Sequence, residues 1–144
     1  MKTCLLWGWV LLLTVSPAAL QDFIQQNEAA ANARDVAAMV RFFAPTATLT
    51  LAQPDGDAVT LTVPQYQKLL ARVMPQYRSY RNRMVLTNWH LEGDRARLQG
   101  TTYEAIDSPR LNAAANWEAE VEQRGDRLVF TRVRSYLSQA FARP

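Results

Sequence analysis

The sequence predicts an α+β fold: three N-terminal helices packed on a strongly curved, mostly antiparallel sheet that forms a cone-shaped half-barrel. Two observations carry this. Before residue 77 the apolar residues recur at helical spacing, and from Tyr77 onward they alternate in long runs separated by glycine–aspartate turns. Between the two halves, residues 32–51 read as a short helix stopped by a proline and followed directly by a strand. Helices grouped ahead of an antiparallel sheet are the mark of the α+β class.

The first helix is expected over Leu20 to Ala31, with Phe23, Ile24, Asn27, Ala30 and Ala31 on one side. Asn32 can end it, because asparagine tolerates left-handed backbone. The second runs from Asp35 to Phe43. Asp35 caps it, and Val36, Met39, Val40 and Phe43 form an apolar stripe at i, i+3, i+4 and i+7. Pro45 closes it, and a strand follows over Thr46 to Gln53. Pro54-Asp55-Gly56-Asp57 is a turn and Ala58 to Thr62 a short strand. Thr62 and Gln65 have the spacing of a capping box for the third helix, with Pro64 in its first turn. Tyr66, Leu69, Leu70 and Val73 make its apolar stripe, and Met74-Pro75 ends it. Four long strands follow: Arg78 to Glu92, Arg95 to Asp107, Leu111 to Gln123 and Arg127 to Ser138. Gly93-Asp94, Ser108-Pro109 and Arg124-Gly125-Asp126 separate them. The last tripeptide matches an integrin-type signal, but a hairpin turn accounts for it.

The N-terminus stands apart. Lys2, the apolar run Cys4 to Val15 and the small residues Ser16 to Ala19 have the layout of a secretory signal peptide. The run is too short for an ordinary spanning helix, which needs roughly 20 residues. The expected division is a signal peptide over 1–19 and one domain over 20–144. The domain is then exported, periplasmic or secreted, and has no membrane segment once cleaved. Cleavage after Ala19 leaves 144 less 19, or 125, residues and removes the only cysteine. A cysteine-free domain of this length is stabilised by its core alone. The formal charge of +3, which falls to about +2 once Lys2 is removed, gives no strong case for nucleic acid. Nearly all the basic residues are arginine, only Lys2 and Lys68 being lysine. Arginine suits fixed contacts to carboxylate or phosphate.

The blocks 32–48, Leu86 to Leu98 and Arg124 to Val133 resemble the nuclear transport factor 2-like superfamily, which includes polyketide-cyclase-like and steroid-isomerase-like proteins. The helix–Phe-Ala-Pro–strand block carries most of the resemblance. It implies a pocket between helices and concave sheet, and a homodimer formed through the sheet. It does not choose a function, since this fold hosts enzymes, binding modules and scaffolds.

Alternation sorts the strand faces. Val85, Thr87, Trp89 and Leu91 are assigned inward on their strand, with Arg81 and Arg83 along the same face and His90 outward. Thr102 and Glu104 follow Ala96 and Leu98 inward. Ala113, Ala115, Trp117, Ala119 and Val121 form the apolar face of the next strand, and Asn116, Glu118, Glu120 and Glu122 an outer stripe. On the last strand Leu128 and Phe130 point inward, but Val133 and Leu137 compete with Arg132, Arg134 and Tyr136, which predicts a bulge near Arg132. The expected pocket lining is therefore Phe43, Tyr66, Leu70, Trp89, Glu104, Ala115, Trp117, Phe130 and Arg132. The inward alanines leave room for a small, partly apolar ligand, unless the aromatic residues fill it.

Glu104 is the best inward carboxylate. It is either a base, with Tyr66, Tyr103 or Tyr136 as proton partner in a lyase or isomerase, or half of an ion pair with Arg81, Arg83 or Arg132. Arg81, Arg83, Arg132 and Arg134 either receive an anionic ligand head or pair with the outer glutamates. One histidine and no cysteine in the mature chain argue against a metal centre, and no cofactor motif is present. The expected partner is a small molecule bound in the cone, with catalysis or a filled-core interaction module as the alternatives.

Overall fold

The computed structural model describes residues 14–107 and 110–142. Most of the expected signal peptide and the Ser108-Pro109 break lie outside the described residues. Two helices precede the first two strands and a third follows them: α1 (Pro17–Asn32), α2 (Val36–Arg41), β1 (Phe43–Ala52), β2 (Ala58–Thr62) and α3 (Val63–Val73). One 3-10 turn, Met74–Gln76, leads into β3 (Tyr80–Glu92), β4 (Arg95–Asp107), β5 (Arg110–Arg124) and β6 (Arg127–Ala142). The six strands form one curved sheet in the order β2-β1-β6-β5-β4-β3. All neighbours are antiparallel except β1 and β6. The three helices, the curved sheet and its mostly antiparallel pairing are those the sequence predicts.

Local chemistry sets the element ends. Asp35 caps α2 through the Ala38 N–H at 3.0 Å. Thr62 and Gln65 form both halves of the capping box on α3. Gly93 and Gly125 take φ near +62°, which lets two-residue turns join β3 to β4 and β5 to β6. α2 ends at Arg41, and Phe43 already belongs to β1, because the Phe42 carbonyl is taken by the Phe130 N–H at 2.7 Å. α1 opens three residues earlier than the apolar stripe suggests. Ser16 accepts the Ala19 N–H, Pro17 supplies the first helical position, and Val15 is buried with its N–H on the Gly93 carbonyl.

The main core lies between α1 and the concave face. Leu20, Phe23 and Ile24 meet Leu86, Leu98, Trp117, Val121 and Phe130 there. A second cluster joins Ala30, Ala31, Met39, Leu70 and Met74, where the three helices meet. Among the described residues of β3 to β6, three bulges bend the strands that pair antiparallel. They fall at Leu86/Asn88 on β3, at Thr131 of β6 opposite Glu120/Val121, and between Leu137 and Gln139 of β6 opposite Ala114/Ala115. The second confirms the break expected near Arg132.

Candidate active site in the cone

The two core clusters leave a cavity of about 480 Å3 between them, lined by α1, α2, α3, β1 and the concave faces of β3 to β6. Seven of the nine residues expected to line it do so: Phe43, Tyr66, Leu70, Glu104, Ala115, Trp117 and Phe130. Two do not. Arg132 stands opposite Glu120 on the outer side of the sheet, because the Thr131 bulge hands the inward positions to Val133 and Ser135. Trp89 is 39% exposed at the edge strand and borders a separate groove of about 320 Å3 with Arg97, Glu118 and Arg134.

The β3 bulge explains a second correction. Up to Leu86 the inward residues are Tyr80, Asn82, Met84 and Leu86, opposite Ile106, Glu104, Thr102 and Gly100. Only beyond the bulge do Trp89 and Leu91 stand opposite the buried Leu98 and Ala96. Arg81 and Arg83 therefore point away from the cavity. Both are exposed, and the Arg83 guanidinium lies over the Tyr103 ring at 5.1 Å. An ion pair between Glu104 and Arg81, Arg83 or Arg132 is absent among the described residues.

Glu104 instead accepts a hydrogen bond from the Tyr80 hydroxyl, at 2.7 Å from Oε2. The Tyr80 oxygen in turn accepts from the Asn82 side-chain amide at 3.0 Å. Asn82 is buried, and its Oδ1 has no hydrogen-bond partner. Such an orphan costs about 1–3 kcal/mol elsewhere in a fold, so polar satisfaction is given up next to this carboxylate. Trp117 Nε1 donates to Thr102 Oγ1 at 3.0 Å on the neighbouring strand pair. Tyr66, Tyr77 and Tyr80 all titrate above the ordinary tyrosine range, first because burial disfavours the phenolate and then because the charge of Glu104 repels it. All three phenols stay neutral through physiological pH and can act as O–H donors.

The helices hold this cluster in place from outside the sheet. β3 is an edge strand, and α1 satisfies its free edge. Asn32 donates to the Asn82 carbonyl at 2.9 Å and accepts the Asn82 N–H at 2.7 Å. One helical turn earlier, Glu28 accepts the Met84 N–H at 2.8 Å. Arg34, at φ 53°, donates to the carbonyls of Tyr77 at 2.7 Å and Met74 at 3.3 Å, which fixes the approach to Tyr80.

Tyr103 and Tyr136 cannot serve Glu104. Tyr103 is 47% exposed and Tyr136 bonds Glu118 on the outer face. His90 is exposed, as its parity predicts, and lies 3.1 Å from Glu92. Of the tyrosines named from sequence, only Tyr66 reaches the cavity; Tyr77, Tyr80 and Asn82 escaped attention.

No family model matches the sequence, and no curated protein matches it. Solved structures do match. A provisionally named scytalone dehydratase from Novosphingobium aromaticivorans is 11% identical, with a TM-score of 0.75 over 88% of this chain and 87% of that one. Hexachlorocyclohexane dehydrochlorinase LinA type 2 is 18% identical, with a TM-score of 0.67 over 88% of each chain. A ketosteroid isomerase-like protein from Erwinia carotovora atroseptica is 12% identical, with a TM-score of 0.64 over 85% and 95%. The chain therefore has the cone fold of nuclear transport factor 2-like proteins.

Proposed function

We propose that this protein binds a small, partly apolar molecule inside the cone. The cavity carries the reading: its volume suits a small ligand, its wall is mainly aliphatic and aromatic, and within it Asn82 and Tyr80 form a hydrogen-bonded chain to Glu104. A filled-core module would leave no such space. The test is a thermal melt against a library of small apolar metabolites, run beside Ala115→Trp, which puts an indole into the cavity. Compounds that raise the melting temperature of the native protein and not of the variant support the reading. A library without effect, or shifts that survive Ala115→Trp, overturns it.

The hydrogen bond from Tyr80 to Glu104 favours a second reading, a lyase or isomerase. Glu104 would take a proton from a bound substrate, and Tyr66 or Tyr77 would donate one. The similar structures include proteins named for a dehydratase, a dehydrochlorinase and an isomerase, which is compatible with this reading and does not select it. Exchange of a ligand C–H for deuterium, lost in Glu104→Gln, is the result it requires.

The signal-like N-terminus supports export to the periplasm or medium. The strand-rich outer face, where Arg132 and Arg134 stand opposite Glu120 and Glu118, supports a homodimer through the sheet. N-terminal peptide mapping of the fractionated protein and sedimentation velocity test these two points.

A further inference from the structure

We propose that the molecule held in the cone is an organic amine, its ammonium seated on Glu104 and its apolar body against the aromatic wall. This rests on the cavity-binding reading above and names the chemical class of its ligand.

Glu104 is the only charged side chain among the described residues that line the cavity. No described arginine, lysine or histidine shares the space. Tyr80 occupies Oε2, and no described residue bonds Oε1. An ionised carboxylate only accepts hydrogen bonds, so what it takes next must be a donor.

Charge then selects among donors. A carboxylate or phosphate ligand would bring a second negative charge against Glu104 with no cation between them. A neutral alcohol could bond Oε1 but would leave the carboxylate's charge uncompensated as water left the cavity, at a large desolvation cost. An ammonium supplies both the donor and the opposite charge. The wall also suits a cation. The rings of Tyr66, Tyr77 and Tyr80 lie near the carboxylate, Tyr77 and Tyr80 stacked at 5.9 Å, and Phe43 packs against Tyr66 at 5.6 Å. Aromatic faces carry partial negative charge and attract cations within about 6 Å.

Benzylamine, benzyl alcohol and benzoate share a ring and a size and carry a positive, zero and negative charge at pH 7. Titration calorimetry of the native protein and Glu104→Gln with these three probes tests the proposal. Benzylamine is expected to bind at least tenfold more tightly than benzyl alcohol, and benzoate not at all. Glu104→Gln is expected to weaken benzylamine at least tenfold and so to remove most of its margin over benzyl alcohol. If benzyl alcohol binds the native protein as tightly as benzylamine, the amine proposal fails while the cavity reading stands. If benzylamine binds Glu104→Gln undiminished, the ammonium sits elsewhere and the proposal fails. If none of the three binds, both readings fail. The comparison within the native protein decides the matter even if the variant does not fold.

Discussion

Gly100→Ala should destabilise the protein by about 3 kcal/mol, and the figure follows from what lies over this glycine. Gly100 on β4 stands directly opposite Trp117 on β5 and Leu86 on β3. A Cβ there would collide with Trp117 Cζ2, lie 2.7 Å from Trp117 Cε2 and lie 2.5 Å from the Val85 carbonyl oxygen. Favourable carbon contacts start near 3.5 Å. The Val85 oxygen belongs to the backbone, so rotating the indole does not clear the methyl. Trp117 is buried in the main core and holds its bond to Thr102 only in its present position. Overpacking of this kind costs about 1–3 kcal/mol, and the lost hydrogen bond adds about 1 kcal/mol. Urea unfolding followed by tryptophan fluorescence measures it: with a slope near ~2 kcal/mol per molar, the midpoint falls by about 1.5 M and the slope stays unchanged. Adding Trp117→Phe should restore part of the loss, because the smaller ring leaves only the Val85 clash. A loss below about 0.5 kcal/mol for Gly100→Ala would refute the close packing of Trp117 on β4.

Three further outcomes follow from the same structure. Asn32→Ala removes both hydrogen bonds that α1 makes to the edge of β3 at the buried Asn82, and should cost about 2 kcal/mol in chemical denaturation while weakening benzylamine binding; unchanged binding would show that Asn32 does not position the Asn82–Tyr80–Glu104 chain. Tyr66 and Tyr80 titrate above 10 when folded and near 10 when unfolded, so the stability they confer is complete below pH 10 and is lost as pH rises further. Each contributes a slope of about 1.4 kcal/mol per pH unit, and denaturant melts at pH 9 to 11 should show a fall that a Tyr66→Phe/Tyr80→Phe double variant reduces; equal slopes would refute it. A chain starting at Leu20 lacks the buried Val15 and the Ser16 cap, and should be about 3 kcal/mol less stable than one starting at Thr14; equal urea midpoints would show that these contacts add nothing.

The helices were legible because their signals are local. Asp35, the Thr62–Gln65 box and the spacing of Val36, Met39 and Val40 each act within one or two turns. The sheet faces were legible as far as alternation stayed unbroken, which gave Glu104, Ala115 and Trp117 correctly. On β6 the conflict between Arg132 and Val133 exposed the bulge in advance. On β3 the sign was weaker. Leu86 and Trp89 lie three apart, an odd spacing within a strand, and that marks the slip only once β4 is laid alongside. Missing it placed Arg81 and Arg83 where Tyr80 and Asn82 stand, and so supplied Glu104 with a counter-ion that the fold keeps on the other face. The bonds from Asn32 and Glu28 to β3 span 50 and 56 residues and have no local signature.

The most direct test of the central claim is a nuclear magnetic resonance titration with benzylamine, following the indole N–H signals of Trp117 and Trp89 and the methyl groups of Met39, Met74 and Met84. Trp117 and the three methionines line the cavity, whereas Trp89 borders the outer groove. Binding in the cone on Glu104 predicts saturable shifts of the first four and a silent Trp89, with the shifts needing at least tenfold more benzylamine in Glu104→Gln. Shifts confined to Trp89, or no shifts at all, would contradict it.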